Sequence, residues 1–175
     1  MQNTYKILSL LLDYPDEDVK KNLHQFIDII NEDKLLKSEE ISKLAQFVDY
    51  ASPLTVSQWQ MNYVQLFDFS TKTNLYLFDH VYGDSRERGQ AMVDLTEMYA
   101  KSGFTPCSSE LPDYLPLFLE YLSLLGNREE SSKLLKEIAH ILENMKRALV
   151  KKESPYGTLL EILCSLNKNT DNVLN

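Results

Sequence analysis

ELPDYLPLFLEYLSLL, residues 110–125, is apolar nearly all the way round a helical wheel. A helix with one polar face can lie on a surface, whereas a helix without one must be enclosed, so this segment predicts the central helix of a bundle. Pro112 and Pro116 are compatible with it if the helix begins near Asp113, where the first backbone N–H groups lack intrahelical partners. Two carboxylates interrupt the apolar surface. Asp113 and Glu120 stand seven residues apart, two turns along one face, and predict an acidic edge flanked by Tyr114, Leu117 and Tyr121. Such an edge suits a helix cap plus an internal ion pair, or equally a ligand that is apolar with a basic residue.

Outward from this segment, apolar residues recur at helical intervals in both directions. Upstream, a first helix is predicted over Thr4 to Asp13. Pro15 can open the second at its N1 position, with Asp16, Glu17 and Asp18 at the positive end of the dipole. A third starts near Ser38. TVSQ at 55–58 has the form of a capping box, and the helix after it carries Val56, Trp59, Tyr63 and Leu66 on one core-facing stripe. Residues 69–83 read as loop. Asp84 with Glu87 then forms a cap pattern for a helix that ends at Gly103. Downstream, NREE after Gly126 caps one long amphipathic helix to about Lys151, and SPYGTLLEILCSL gives a last short one. The expectation is an all-α, single-domain helical bundle over residues 1–166, with a polar tail, expected to be disordered, at 167–175.

FDHVYGDSRERGQA, residues 78–91, concentrates two of the five glycines with Asp, His and Arg. On the helix it opens, Arg86, Gln90, Asp94, Glu97 and Lys101 form a polar stripe, while Arg88 extends the apolar stripe of Ala91, Leu95 and Met98. A half-buried guanidinium needs a carboxylate, because an unpaired charge out of water costs on the order of several kcal/mol; Asp79, Asp84 and the Asp113–Glu120 edge are the candidates. A salt bridge pinning the helix start and a recognition role stand level as readings of Arg88. Gly89 inside a helix costs about 1 kcal/mol against alanine, which a close approach by another backbone would justify, from this protein or from a docked peptide.

Composition excludes several functions. The net charge is −8, and residues 1–127 hold 19 Asp or Glu against 10 Lys or Arg, a balance that disfavours nucleic acid and would attract a basic ligand. Cys107 and Cys164 have neither a C-x-x-C partner nor a histidine at ligand spacing, against zinc and iron–sulfur clusters. The apolar run Ile7–Leu12 is too short for a leader or a membrane span, so a cytoplasmic protein without stable membrane insertion is expected. His24, His80 and His140 do not make a His-Asp metal phosphohydrolase, since Asp79 precedes His80 where that motif wants it after. GDSRERG lacks the spacing and lysine of a phosphate loop. A non-enzyme is expected, the alternative being a metal-dependent enzyme using Asp79, His80 and Asp84.

YVQLFDFS at 63–70, LYLFDHVYGDSRERGQAMVDL at 75–95 and ELPDYLPLFLEYLSLL at 110–125 together resemble the motifs of the NarJ-type nitrate reductase molybdenum cofactor assembly chaperones, within the redox enzyme maturation proteins. The resemblance covers about Tyr5 to Leu125. Tyr63, Leu66 and Phe67 match an aromatic element; His80, Asp84, Arg86, Arg88 and Gly89 match the middle block; Glu110, Pro112, Asp113 and Tyr114 match the element before the central helix. Tyr114 departs from the wider family, which often has His there. The resemblance implies an all-helical chaperone that binds the N-terminal segment of the nitrate reductase catalytic (alpha) subunit. It would hold no cofactor itself and keep its client competent to receive the molybdenum bis-guanine-dinucleotide cofactor; a chaperone for another molybdoenzyme is the neighbouring alternative. The client-contact residues expected on this basis are Tyr63, Leu66, Phe67, His80, Asp84, Arg88, Gly89, Asp113, Tyr114, Leu117, Glu120 and Tyr121.

Overall fold

The structure, a computed structural model, describes residues 2–106 and 109–169. Ten helices occur among the described residues: α1 Asn3–Leu12, α2 Glu17–Asp33, α3 Ser38–Ala51, α4 Val56–Phe67, α5 Asp79–Tyr82, α6 Glu87–Lys101, α7 Leu115–Leu124, α8 Arg128–Glu137, α9 Ala139–Lys151 and α10 Tyr156–Asn169. No helix among them is long and apolar enough to cross a membrane. The all-helical bundle expected from the sequence is the one observed. Residues 170–175 of the expected tail, like Cys107, lie outside the described residues.

Two apolar helices organise the packing. α7 buries Leu115, Leu117, Phe118, Leu119, Tyr121 and Leu122 and packs chiefly on α1, which itself buries Tyr5, Ile7, Leu8, Leu11 and Leu12. The pair is stitched by polar contacts at both ends. The Gln2 side-chain amide donates to the carbonyls of Leu122 and Leu125, satisfying groups left over at the C-terminus of α7. At the other end the Ser9 hydroxyl donates to the Pro116 carbonyl at 2.7 Å. α10 is the second centre, packed against α3, α8 and α9, while α2 joins α1 to α3. α4 is locked on by its aromatic stripe: the buried Trp59 indole N–H donates to the Tyr156 hydroxyl of α10 at 2.7 Å, and Phe47 and Phe67 stand edge-on to the Tyr156 ring.

Helix starts follow local chemistry, with three departures. Thr55 and Gln58 form the reciprocal capping box. Pro15, by contrast, lies outside α2: Asp16 is the N-cap, accepting from the Val19 N–H at 2.7 Å, because a short carboxylate satisfies that donor and proline cannot. Asp84 does not cap α6 either. Gly83 adopts φ 51°, and the chain turns through Ser85, whose carbonyl accepts from the Arg88 N–H, so the N-cap position falls at Arg86, two residues later than the D-x-x-E pattern implies. The single long helix expected over 127–151 is two helices, broken at the buried Ile138 between α8 and α9. No glycine or proline marks that break; the bend lets Leu135 and Ile138 face the core together with Ile141, Leu142 and Met145.

Candidate functional site

A cleft of about 430 Å³ opens where four stretches distant in sequence converge: Asp13 and Tyr14 after α1, Tyr63 to Asp68 at the end of α4, Asn74 to Asp79, and Glu110 to Tyr114. Its floor is a single antiparallel bridge between Tyr76 and Tyr114. Leu77 N–H donates to the Asp113 carbonyl at 2.9 Å and Leu115 N–H to the Leu75 carbonyl at 2.8 Å. This bridge fixes the segment read as loop from the sequence. Asn74 braces it further, donating to Asp79 at 2.9 Å and accepting from the Tyr76 N–H.

The walls are tyrosine and carboxylate. Tyr63 and Tyr114 hydroxyls lie 2.7 Å apart, Tyr63 also donates to the Leu12 carbonyl, and Tyr114 reaches Asp13 Oδ1 at 3.0 Å. Burial raises the Asp13 carboxyl above its usual range, and the nearby Glu110 and Asp16 charges add to the rise. Burial likewise lifts the Tyr63 and Tyr114 hydroxyls, so both stay protonated donors. Tyr76 donates to Glu110 Oε2 at 2.6 Å. Tyr14, 48% exposed, stands edge-on to Tyr63 at the rim. Asp13, Asp68, Asp79 and Glu110 thus surround a space lined by aromatic rings.

Asp79 also forms the boundary with a second hollow, of about 400 Å³, lined by Asp84, Arg88, Gly89, Met92 and Leu111. Arg88 Nη1 meets Asp79 Oδ1 at 2.6 Å, both side chains less than a third exposed. The partner is thus one of the acids expected. Behind the pair, Asp113 is fully buried: one carboxylate oxygen accepts from the Phe78 N–H at 2.8 Å, whereas Oδ1 and the Arg88 Nε–H have no partner. Burial raises the Asp113 carboxyl, opposed by the Phe78 hydrogen bond and the Arg88 charge.

Of the residues singled out in the sequence, Tyr63, Phe67 and Tyr114 meet in the cleft, and Asp84, Arg88 and Gly89 meet in the second hollow. His80 lies between, its Nε2–H donating to the Asn74 carbonyl at 2.9 Å. Leu66 packs partly buried against the core, and Leu117 and Tyr121 are core residues. The acidic edge does not form. Asp113 precedes α7 and turns inward, while Glu120 pairs with Lys6 of α1. Nor does another backbone press on Gly89, which is exposed with open space where a Cβ would stand. Asp79, His80 and Asp84 do not converge as ligands: the first is ion-paired, the second uses Nε2 on a carbonyl, and no group suited to a metal occurs among the described residues. Sequence reading missed Asp13, Tyr14, Asp68 and Tyr76 as members of the site. Their only sequence signal is the local acid and tyrosine content, because the cleft exists only once the Tyr76–Tyr114 bridge has closed.

The profile of the nitrate reductase delta subunit family matches residues 16–160. The nitrate reductase molybdenum cofactor assembly chaperone NarJ of Escherichia coli (strain K12) is 40% identical over 160 residues, 91% of this chain and 67% of that protein. A Bacillus subtilis (strain 168) relative assigned to the same chaperone group is 35% identical over 169 residues, 96% of this chain and 90% of its own. Both relatives are named as assembly chaperones and not as enzymes. Among solved structures, a redox enzyme maturation protein from Archaeoglobus fulgidus superposes with a TM-score of 0.60 at 25% identity, covering 96% of this chain and 94% of that one.

Proposed function

Because the chain belongs to the nitrate reductase delta subunit family, we propose that it is a client-specific assembly chaperone: in the cytoplasm it binds the N-terminal segment of the nitrate reductase catalytic (alpha) subunit and holds the apoenzyme ready for the molybdenum bis-guanine-dinucleotide cofactor before membrane assembly. The cofactor is delivered to the client, and this protein's part is to bind and delay. The observation that carries the reading is the tyrosine-walled acidic cleft, with the second hollow beside it. Rings give contact area at low entropic cost, and uncompensated carboxylates select a basic segment and speed its encounter. On this reading Tyr63, Phe67, Tyr114, His80, Asp84, Arg88 and Gly89 face the client. Leu66, Asp113, Leu117, Glu120 and Tyr121 support that surface from below. In a strain lacking this protein, nitrate reductase polypeptides should accumulate with little bound molybdenum, measured by immunoblot and metal analysis of the purified enzyme. Full molybdenum content and activity in that strain would refute the role.

A further inference from the structure

Three of the four cleft carboxylates, Asp13, Asp68 and Glu110, form no ion pair among the described residues, and the fourth, Asp79, holds Arg88 through a single nitrogen. Asp13 and Glu110 are turned to tyrosine hydroxyls, which leaves each with spare acceptor capacity. Independently of this cluster, the fully buried Asp113, one residue from the cleft-lining Tyr114, carries an unpartnered oxygen, and Arg88 an unpartnered Nε–H. A half-satisfied buried network of this kind is poised for a better arrangement. We propose that the cleft is the receptor for one cationic side chain, a guanidinium or ammonium, of the client segment, and that this cation takes over Asp79 while Arg88 passes to the waiting carboxylate of Asp113.

The exchange rests on the client reading above and adds its recognition chemistry. Before it, one ion pair leaves a buried acceptor and a buried donor unmet; after it, both carboxylates are paired and Arg88 can use Nε and a second nitrogen on Asp113. Tyr14 and Tyr76 supply ring faces against which a cation gains further. Asp68, at the end of α4, has no side-chain partner among the described residues and completes the ring of charge at the mouth.

The test uses the full chain and a synthetic peptide copying the client's N-terminus, with each arginine replaced in turn by citrulline and each lysine by acetyl-lysine, titrated calorimetrically. One replacement is expected to weaken binding at least tenfold in the natural protein, and less than twofold in the Asp68→Asn/Asp79→Asn/Glu110→Gln triple variant. Asp113→Asn should weaken the charged peptide several-fold and leave the neutral analogue unchanged, and the Arg88 Nε–H resonance should shift on binding the charged peptide alone. Circular dichroism and urea titration establish that each variant is folded. Equal binding of all analogues overturns the cation site while leaving the client reading intact. Absence of binding by every peptide overturns both. Asp113→Asn with natural affinity overturns the exchange.

Discussion

Arg88 and Arg86 differ by two positions and by everything that decides their worth. Arg86 is exposed on the polar stripe, so Arg86→Ala should change stability by no more than about 0.5 kcal/mol in urea denaturation. Arg88 is 27% exposed and meets Asp79, and its loss should cost about 1 kcal/mol, between a surface pair and a buried one. Equal effects in the two variants would contradict the orientation of α6. Asp113 makes a second prediction at this scale. Its carboxyl is raised by burial, so the folded state binds a proton more readily than the unfolded chain, and stability from this group is lost as pH rises through the raised value. Asp113→Asn should therefore flatten the decline in stability that sets in as pH rises above the ordinary aspartate value of about 4, read from urea midpoints. An unchanged slope would show that this carboxyl does not titrate there. These are also the places where sequence stopped informing. Helical spacing aligned Arg88 with Leu95 and so predicted its need for an acid, but the spacing that put Asp113 on one face with Glu120 assumed a helix beginning near Asp113, and α7 begins two residues later, at Leu115.

Elements were legible wherever their cause was local. The Thr55–Gln58 box, the all-apolar α7, Gly103 at φ 73° and the polar stripe of α6 could be read directly. The break at Ile138 could not, since it answers to what α8 and α9 must each cover. Gly89 yields the prediction at this scale. Its helical backbone and the open space around it mean that Gly89→Ala should stabilise the protein by about 0.5 to 1 kcal/mol in urea denaturation. If the glycine is kept for a client backbone lying across α6, the same substitution should weaken peptide binding. A stabilised variant with unchanged affinity would remove Gly89 from the contact surface.

At the scale of the molecule, the bundle followed from periodicity, but the site did not, because residues 13, 68, 79 and 110 become neighbours only through tertiary closure. The family resemblance reached Tyr63, Phe67, Glu110 and Tyr114, which line the cleft, and missed Asp13 and Asp68 beside them. Net charge of −8 with apolar rings at the mouth predicts a mixed signature for client binding. Calorimetry should give a negative heat-capacity change together with a modest weakening by salt. Binding abolished by moderate salt, with no heat-capacity signal, would contradict the groove.

The attachment of α6 has a mechanical consequence. Its C-terminal half is clamped, with the Tyr99 hydroxyl on the Pro112 carbonyl and its ring against Tyr121 and Phe104. Its N-terminal half is tethered across the Asp79–Arg88 ion pair. The helix is a cantilever, fixed at one end and pinned by a releasable catch at the other. Amide hydrogens near Gln90 should exchange with deuterium far sooner than those near Met98, and cutting the catch should steepen that gradient without reaching the clamp.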